Sequence, residues 1–177
     1  MLRIIELTFL LVVNASVICV GQSAGQNRVP STSGRATQMN DCAANKALVK
    51  KLFDEWVNKK NLAAIDGMVT PNYVSHEGGE DTNAEDTKEF LAGLFRSAPD
   101  IHITVEDIVC EGDKVVVRNI WRATDTGGFG GMPPTGKSVV VEGFVMWRIE
   151  NGKLAERWAV IDYRGLMRQL STTSQSK

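Results

Sequence analysis

The sequence has few of the residues that metal, nucleic-acid and hydrolase sites usually need. Histidine occurs only twice, at His76 and His102, which excludes a site built from several histidines, and no closed set of zinc ligands is visible. The 20 basic and 21 acidic residues leave a formal charge of -1 without a long run of either sign, so we predict no nucleic-acid partner. No serine lies in a nucleophile elbow, which argues against hydrolysis by a catalytic triad.

Long apolar runs are also scarce, and the one at the amino terminus is short. Arg3 gives a positive start, residues 7–20 are mostly apolar, and small residues follow from Gly21 to Gly25. This pattern predicts a secretory signal peptide over residues 1–25, cleaved after Gly21 or Gly25, and hence an exported (periplasmic or secreted) protein. A mis-assigned start codon and an uncleaved anchor are the alternatives. The run is too short to be assigned as a membrane span, and we predict no membrane association for the mature domain.

Cysteine is rare as well, and removal of the signal peptide would leave only Cys42 and Cys110. In an oxidising compartment the two could pair and close a long loop, which stabilises a fold by restricting the unfolded chain. The sequence gives no distance between them. Two buried free thiols are therefore the interpretation that we favour.

The rest of the sequence contains a polar lead-in and a folded domain. Residues 26–39 have no periodic apolar pattern, which predicts a disordered lead-in to a domain over residues 40–171, with a polar tail over 172–177. Asn40 or Asp41 is the predicted cap of a first helix. Its apolar positions recur at helical spacing: Leu48, Val49, Leu52, Phe53, Trp56 and Val57.

Two further helices are predicted before the pattern changes. Asn61 would cap a short second helix that Pro71 ends. Thr82 and Glu85 predict a capping box for a third helix, which ends at Pro99. After Pro99 the apolar pattern has a period of two, which is typical of strands.

Four strands are predicted in the second half of the domain, followed by a last short helix. They cover residues 101–110, 114–124, 138–150 and 153–163. Asn151 and Gly152 are typical of a two-residue hairpin turn between the last two strands. Helices followed by an antiparallel meander predict an α+β fold, with the N-terminal helices packed on one side of a curved, mainly antiparallel sheet of four or more strands. Such a sheet encloses a cone that can hold a pocket.

The segment from Gly131 to Ser138 matches the pattern of a phosphate-binding loop, but its chemistry does not fit. Pro133 and Pro134 have no N–H group to offer a phosphate, and a strand rather than a helix is predicted to follow. We therefore predict no nucleotide cofactor.

Asp162 is the predicted catalytic residue. Because side chains alternate along a strand, Glu156, Trp158, Val160 and Asp162 share one face. A carboxyl group beside apolar side chains is disfavoured in its charged form, and a raised pKa would let it exchange a proton near neutral pH. The alternative is a strand-end aspartate that caps the following turn.

Aromatic residues and one histidine are the predicted ligand contacts. Four tryptophans, among them Trp121 and Trp158, favour a core role and also suit an aromatic-lined pocket for a flat apolar ligand. Tyr73 and His76 follow Pro71 in a stretch that could line the mouth of such a pocket. A surface or packed histidine is the alternative for His76.

These segments, taken in order, resemble the SnoaL-like polyketide cyclase or ester cyclase family of the NTF2-like superfamily. The resemblance covers about residues 45–170. It depends on the openings of the first two helices (45–49 and 61–65), the Tyr-x-x-His segment within 71–76, residues 103–107 and 111–116, the loop 131–137, and the closing Glu156-Arg157-Trp158 with Asp162.

The resemblance implies a cone-shaped fold whose pocket needs no metal or organic cofactor. It implies that Asp162 acts as acid and base in an intramolecular aldol ring closure, that Trp158 walls the pocket and that His76 hydrogen-bonds the ligand. One position departs from the family, since Asp125 stands where many relatives have histidine.

The predicted function is therefore cofactor-independent acid–base chemistry, an aldol-type cyclisation or a related isomerisation, on a hydrophobic carbonyl-bearing small molecule. The main alternative is a non-catalytic binding or carrier module with the same pocket. A homodimer through the exposed face of the sheet is also expected, and a pure dimerisation module is the third possibility.

Overall fold

The computed structural model describes residues 32–171, and the side chains of residues 41–171. The predicted signal peptide and the polar tail lie outside the described residues. The helices are α1 (Thr32–Leu52), which continues as a π-helical segment (Phe53–Asn58), α2 (Ala64–Met68), α3 (Ala84–Ser97) and α4 (Tyr163–Ser171).

The predicted starts of the first and third helices are wrong. Helix α1 begins at Thr32 rather than at Asn40 or Asp41, so part of the predicted lead-in is helical. Extending a helix costs less than nucleating one, and no proline interrupts this segment. Helix α3 has its capping box at Asn83 and Asp86, one residue beyond the predicted Thr82 and Glu85, because Thr82 ends a strand.

The second predicted helix is correct in existence but not in its bounds. Helix α2 starts from Ala63 without a side-chain cap, and the Asn61 amide instead donates to the Glu55 carboxylate at 3.1 Å. Pro71 lies inside the next strand rather than at the end of the helix. It falls between Val69 and Val74, where the pairing register shifts and a missing N–H group is tolerated.

The sheet has six strands: β1 (Val69–Glu77), β2 (Glu80–Thr82), β3 (His102–Glu111), β4 (Lys114–Thr124), β5 (Ser138–Glu150) and β6 (Lys153–Ile161). Their order is β2-β1-β6-β5-β4-β3, and only the β1–β6 pair is parallel. The four predicted strands are confirmed, with the last ending at Ile161. The sheet is thus the curved, mainly antiparallel sheet of an NTF2-like α+β cone.

The core lies between the helices and the inner face of this sheet. Strand β5 shows the alternation clearly, since Val139, Val141, Val145 and Trp147 are buried while Val140 and Phe144 are each 51% exposed. Helix α1 packs on β3 and β4, and α3 packs on β1. Within residues 32–171, no helix is long and apolar enough to cross a membrane.

Cys42 in α1 and Cys110 in β3 form a disulfide, with Cα atoms 5.7 Å apart. The favoured prediction of two free thiols is therefore wrong. The bridge fixes the first helix to the edge strand of the sheet, and it joins residues that are 68 positions apart in the chain.

Candidate functional site

Two adjoining cavities occupy the cone. The inner cavity, about 250 Å³, lies between the helices and the inner face of the sheet. The loop cavity, about 690 Å³, lies between α3, α4 and the glycine-rich loop 127–131. Phe90, Leu94 and Trp121 line both cavities, so these three side chains form the boundary between them.

The inner cavity is mostly apolar. Its aromatic and aliphatic lining comes from both layers of the fold: Leu52, Phe53, Trp56, Val57, Leu91, Ile103, Val145 and Trp147, besides the three shared residues. Trp56 and Trp147 meet edge to face, with ring centroids 5.9 Å apart. This lining favours a flat or alicyclic hydrophobic ligand.

One side of the inner cavity is polar, and we call Ser75, Glu77 and Arg157 the polar wall. Ser75 and Glu77 belong to β1 and Arg157 to β6, and the two strands pair in parallel. The Arg157 guanidinium donates from Nη1 to the Glu77 carboxylate at 2.6 Å and to the Ser75 hydroxyl at 2.9 Å. An ion pair therefore faces a mostly apolar chamber, to whose lining Thr82, Asp86 and Thr87 also contribute polar groups.

Tyr163, at the start of α4, connects the polar wall to the loop cavity that it lines. Its hydroxyl donates to the second oxygen of Glu77 at 2.8 Å. Burial and the neighbouring negative charge of Glu77 raise the pKa of Tyr163, which outweighs the opposing effect of Arg157. The hydroxyl therefore stays protonated and keeps donating to Glu77 at neutral pH.

Two predicted ligand contacts, Tyr73 and Trp121, lie on the inner side of the sheet. Trp121 lines both cavities, and its indole N–H donates to the Asn119 side chain at 2.7 Å. Tyr73 is buried two residues before Ser75 on β1. Burial raises the pKa of Tyr73, with Arg157, Thr87 and Ser75 acting in the opposite direction.

His76 and Trp158, the other two predicted contacts, lie on the outer face of the sheet. Their rings stack with centroids 5.0 Å apart. His76 Nδ1 lies 2.6 Å from Asp81, and Nε2 lies 3.7 Å from Glu156. The structure therefore places both residues in an exposed groove, apart from the inner and loop cavities.

Asp162 lies at the end of the same outer-facing set. Its side chain is 53% exposed, and one carboxylate oxygen accepts from the Gly165 backbone N–H at 2.7 Å, which caps α4. Val160, which was expected to desolvate it, is 74% exposed. The predicted grouping of Glu156, Trp158, Val160 and Asp162 is correct, and none of the four lines the inner or the loop cavity. The roles predicted for Trp158 and Asp162 stay predictions.

Asp125 holds the glycine-rich loop that walls the loop cavity. Its side chain is fully buried, and its carboxylate accepts from Gly128 N, Thr135 N and the Thr135 hydroxyl at 2.9, 2.9 and 2.7 Å. The segment with the phosphate-loop pattern belongs to this loop and leads into β5. The residue that departs from the family pattern therefore has a structural role here.

Within residues 41–171, no group of three or more histidine, cysteine, aspartate or glutamate side chains is arranged to hold a metal ion. The absence of a cofactor stays a prediction. The three residues of the polar wall were not predicted from the sequence. The sequence did contain a signal for them. Tyr73, Ser75 and Glu77 lie at two-residue spacing, as on one face of a strand, and Arg157 has the same spacing to the small residues Ala155 and Ala159 in the last strand.

Helices packed on one side of a curved, mostly antiparallel six-stranded sheet are the architecture of the NTF2-like fold. The chain belongs to the SnoaL-like polyketide cyclase family, whose model matches residues 47–170. No protein of curated function matches the chain significantly.

Solved structures of similar proteins share this fold. AclR from Streptomyces galilaeus, a proposed hydroxylase, is 29% identical with a TM-score of 0.69, over 77% of this chain and 86% of that one. A proposed SnoaL-like polyketide cyclase from Jannaschia sp. CCS1 is 26% identical with a TM-score of 0.69, over 84% and 99% of the chains. IdmH, a proposed polyketide cyclase from Streptomyces antibioticus, is 25% identical with a TM-score of 0.66, over 72% and 99%.

Proposed function

We propose that the protein binds a hydrophobic, carbonyl-bearing small molecule in the inner cavity and performs cofactor-independent acid–base chemistry on it. The reaction would be an aldol-type cyclisation or a related isomerisation, as the family and the names of its solved relatives suggest. The observation that carries this proposal is the polar wall, which brings a carboxylate and a guanidinium to one side of an apolar chamber.

The apolar lining and the polar wall of the inner cavity have separate roles in this proposal. Apolar walls bind the carbon skeleton, at about 25 cal/mol for each Å² removed from water. Hydrogen-bond donors in a chamber of low polarity stabilise the negative charge that develops on a carbonyl oxygen when the neighbouring carbon loses a proton. A preformed chamber of this kind can hold these groups without a cofactor.

The family resemblance assigns the proton transfer to Asp162, and this assignment stays a proposal. To act in the inner cavity, the Asp162 carboxylate would have to give up its hydrogen bond to the Gly165 N–H group. Asp162→Asn tests the assignment, because it removes the base while keeping an oxygen that can cap α4. Loss of turnover with retained ligand binding would support it.

A carrier without catalysis is the second candidate, and one observation favours it. Glu77 and Arg157 already neutralise each other, and Asp162 already caps a helix, so each carboxylate has a structural partner. A carrier would return its ligand unchanged after long incubation, whereas an enzyme would release a product of different mass or retention time.

Filling part of the inner cavity should weaken ligand binding. Val145 lines this cavity, and Val145→Phe would fill part of its volume. We expect the affinity for β-tetralone, a two-ring ketone, to fall by about 10-fold or more, measured by quenching of tryptophan fluorescence. Val160→Phe, on the outer face of the neighbouring strand, is the matched control and should bind as the wild type does. Equal affinity in both variants would contradict binding in the cone.

We also propose a homodimer formed through the outer face of the sheet. Phe144 and Val160 are paired across β5 and β6 and are 51% and 74% exposed, which makes an apolar patch on that face. Phe144→Lys should convert the dimer to a monomer, as judged by light scattering after size exclusion. Met132→Lys, at an exposed position in the loop, should leave the mass unchanged. A monomeric mass for the wild type would refute the proposal.

A further inference from the structure

The polar wall contains two groups whose hydrogen-bonding capacity is not used up by the protein. Arg157 donates only from Nη1 among the described residues, to Ser75 and Glu77, although a guanidinium carries five N–H donors. Its side chain is 16% exposed, so most of it faces protein or cavity rather than bulk water. Nε and Nη2 remain for a ligand.

From this geometry we propose that Arg157 and Glu77 are the catalytic pair of the inner cavity. Arg157 binds the ligand's carbonyl oxygen, and Glu77 takes a proton from the carbon next to it. The inference rests on the proposed binding and acid–base chemistry and deepens it, because it narrows the ligand to a hydrophobic ketone with an enolisable C–H group. It gives Glu77 the proton transfer that the family resemblance assigns to Asp162, so the two assignments compete.

Arg157 is suited to hold an oxygen on which charge develops. A guanidinium carries a delocalised positive charge and presents its N–H donors in a fixed planar fork. The Trp147 ring lies 5.8 Å from the guanidinium carbon, and the bonds to Ser75 and Glu77 fix the other side. A donor held in this way needs little reorganisation when an enolate forms.

Glu77 is suited to accept the proton because it lies beside that donor. One of its oxygens accepts from Arg157 and the other from Tyr163, and each carboxylate oxygen has a second lone pair. Its side chain is 25% exposed, compared with 53% for Asp162, and it lines the inner cavity. Asp86 also lines the cavity, but its carboxylate caps α3 by accepting from the Asn83 backbone N–H at 2.8 Å. Glu77 is therefore the carboxylate that lies beside the guanidinium.

The proposed step is balanced without a co-reactant. The C–H bond next to the carbonyl breaks, its proton passes to a Glu77 oxygen, and its electron pair forms the carbon–carbon double bond of the enolate. The negative charge moves to the carbonyl oxygen at Arg157. The proton returns from Glu77 when the enolate carbon is reprotonated, or when an alkoxide forms after the carbon attacks a second carbonyl group.

Arg157 is tested by a matched pair of probes, β-tetralone and tetralin, which share a ring system but differ in the carbonyl group. We expect the wild type to prefer β-tetralone by about 10-fold, as a hydrogen bond to a charged group predicts. Arg157→Met should remove the preference. Arg148→Met, which breaks the corresponding ion pair with Glu156 on the outer face, should retain it.

Removing Arg157 alone leaves the Glu77 carboxylate without its partner and could unfold the chain. The double variant Glu77→Gln with Arg157→Met removes both charges and keeps the proposal testable. Equal binding of the two probes to the wild type would overturn the inference while leaving the cavity as the binding site. Failure of both probes to bind would overturn the proposed function itself.

The role of Glu77 as the base is tested by the rate of hydrogen–deuterium exchange at the carbon next to the carbonyl of β-tetralone. NMR in heavy water monitors this exchange. The wild type should accelerate exchange, and Glu77→Gln should slow it by about 100-fold. Glu156→Gln, on the outer face, is the control and should exchange at the wild-type rate. No acceleration by the wild type, or full exchange in Glu77→Gln with loss in Asp162→Asn, would overturn the assignment of Glu77.

Discussion

Reducing the Cys42–Cys110 disulfide should lower the free energy of unfolding by about 4 kcal/mol. The bridge spans 68 positions, and a cross-link over a loop of this length removes a large part of the conformational freedom of the unfolded chain. It also fixes α1, which supplies Leu52 to the lining of the inner cavity, to β3. Urea unfolding with and without a reductant measures the difference.

A double variant with Cys42→Ser and Cys110→Ser provides the control for this experiment. Its urea midpoint should match that of the reduced wild type and should not respond to the reductant. A wild-type midpoint that is the same under oxidising and reducing conditions would contradict the prediction. The disulfide agrees with the predicted export, because such bonds persist in oxidising compartments. Export itself stays a prediction, which the mass of the mature chain would test.

The strands of the second half could be predicted because several local signals agree. Strand β5 is rich in β-branched and aromatic residues, and its residues are alternately buried and more exposed along its length, with Val139, Val141, Val145, Trp147 and Ile149 buried. At the β5–β6 turn, Asn151 and Gly152 have φ angles of 51° and 72°, the left-handed conformations that this pair of residues favours. Pattern and turn chemistry together fix the register.

The first two strands could not be predicted, because their signals conflict. Pro71 is typical of a helix end, and it is accommodated in β1 only because the pairing with β6 is irregular at that point. Strand β2 has three residues, too few for a periodic pattern. Without a predicted β1, the alternation of Tyr73, Ser75 and Glu77 could not be paired with the strand that carries Arg157.

The candidate site illustrates a limit of strand periodicity. Alternation grouped Trp158 with Asp162 correctly, but it cannot tell which group faces the cone when both faces of a strand carry apolar residues. In β6 the inner set is Ala155, Arg157, Ala159 and Ile161. A bulge near Ala155 also puts Leu154 and Ala155 both inside, which shifts the alternation. Only the pairing of β6 with β5 shows which face of β6 is turned towards the core.

Asp125→Ala should destabilise the domain by about 2 to 3 kcal/mol. It would leave the buried Gly128 N–H group without its acceptor, and it would also remove the acceptor of the two donors on the exposed Thr135. Other bonds also hold the loop, among them the Ser97 hydroxyl to the Gly128 carbonyl at 2.6 Å and the Gly127 N–H to the Ser97 carbonyl at 2.9 Å. None of them supplies an acceptor for the Gly128 N–H group, so the wall of the loop cavity should loosen in Asp125→Ala.

Urea unfolding measures the loss of stability, and cleavage by chymotrypsin after Phe129 measures the loop directly. We expect faster cleavage in Asp125→Ala under native conditions, because Phe129 packs against the core only while the loop is held. Asp100→Ala is the matched control, since Asp100 is exposed and accepts a single backbone bond, from Thr124 N at 2.8 Å. It should cost no more than about 1 kcal/mol. If both variants unfold at the same urea concentration, the buried carboxylate does not hold the loop, and the departure from the family's histidine at this position has no structural consequence.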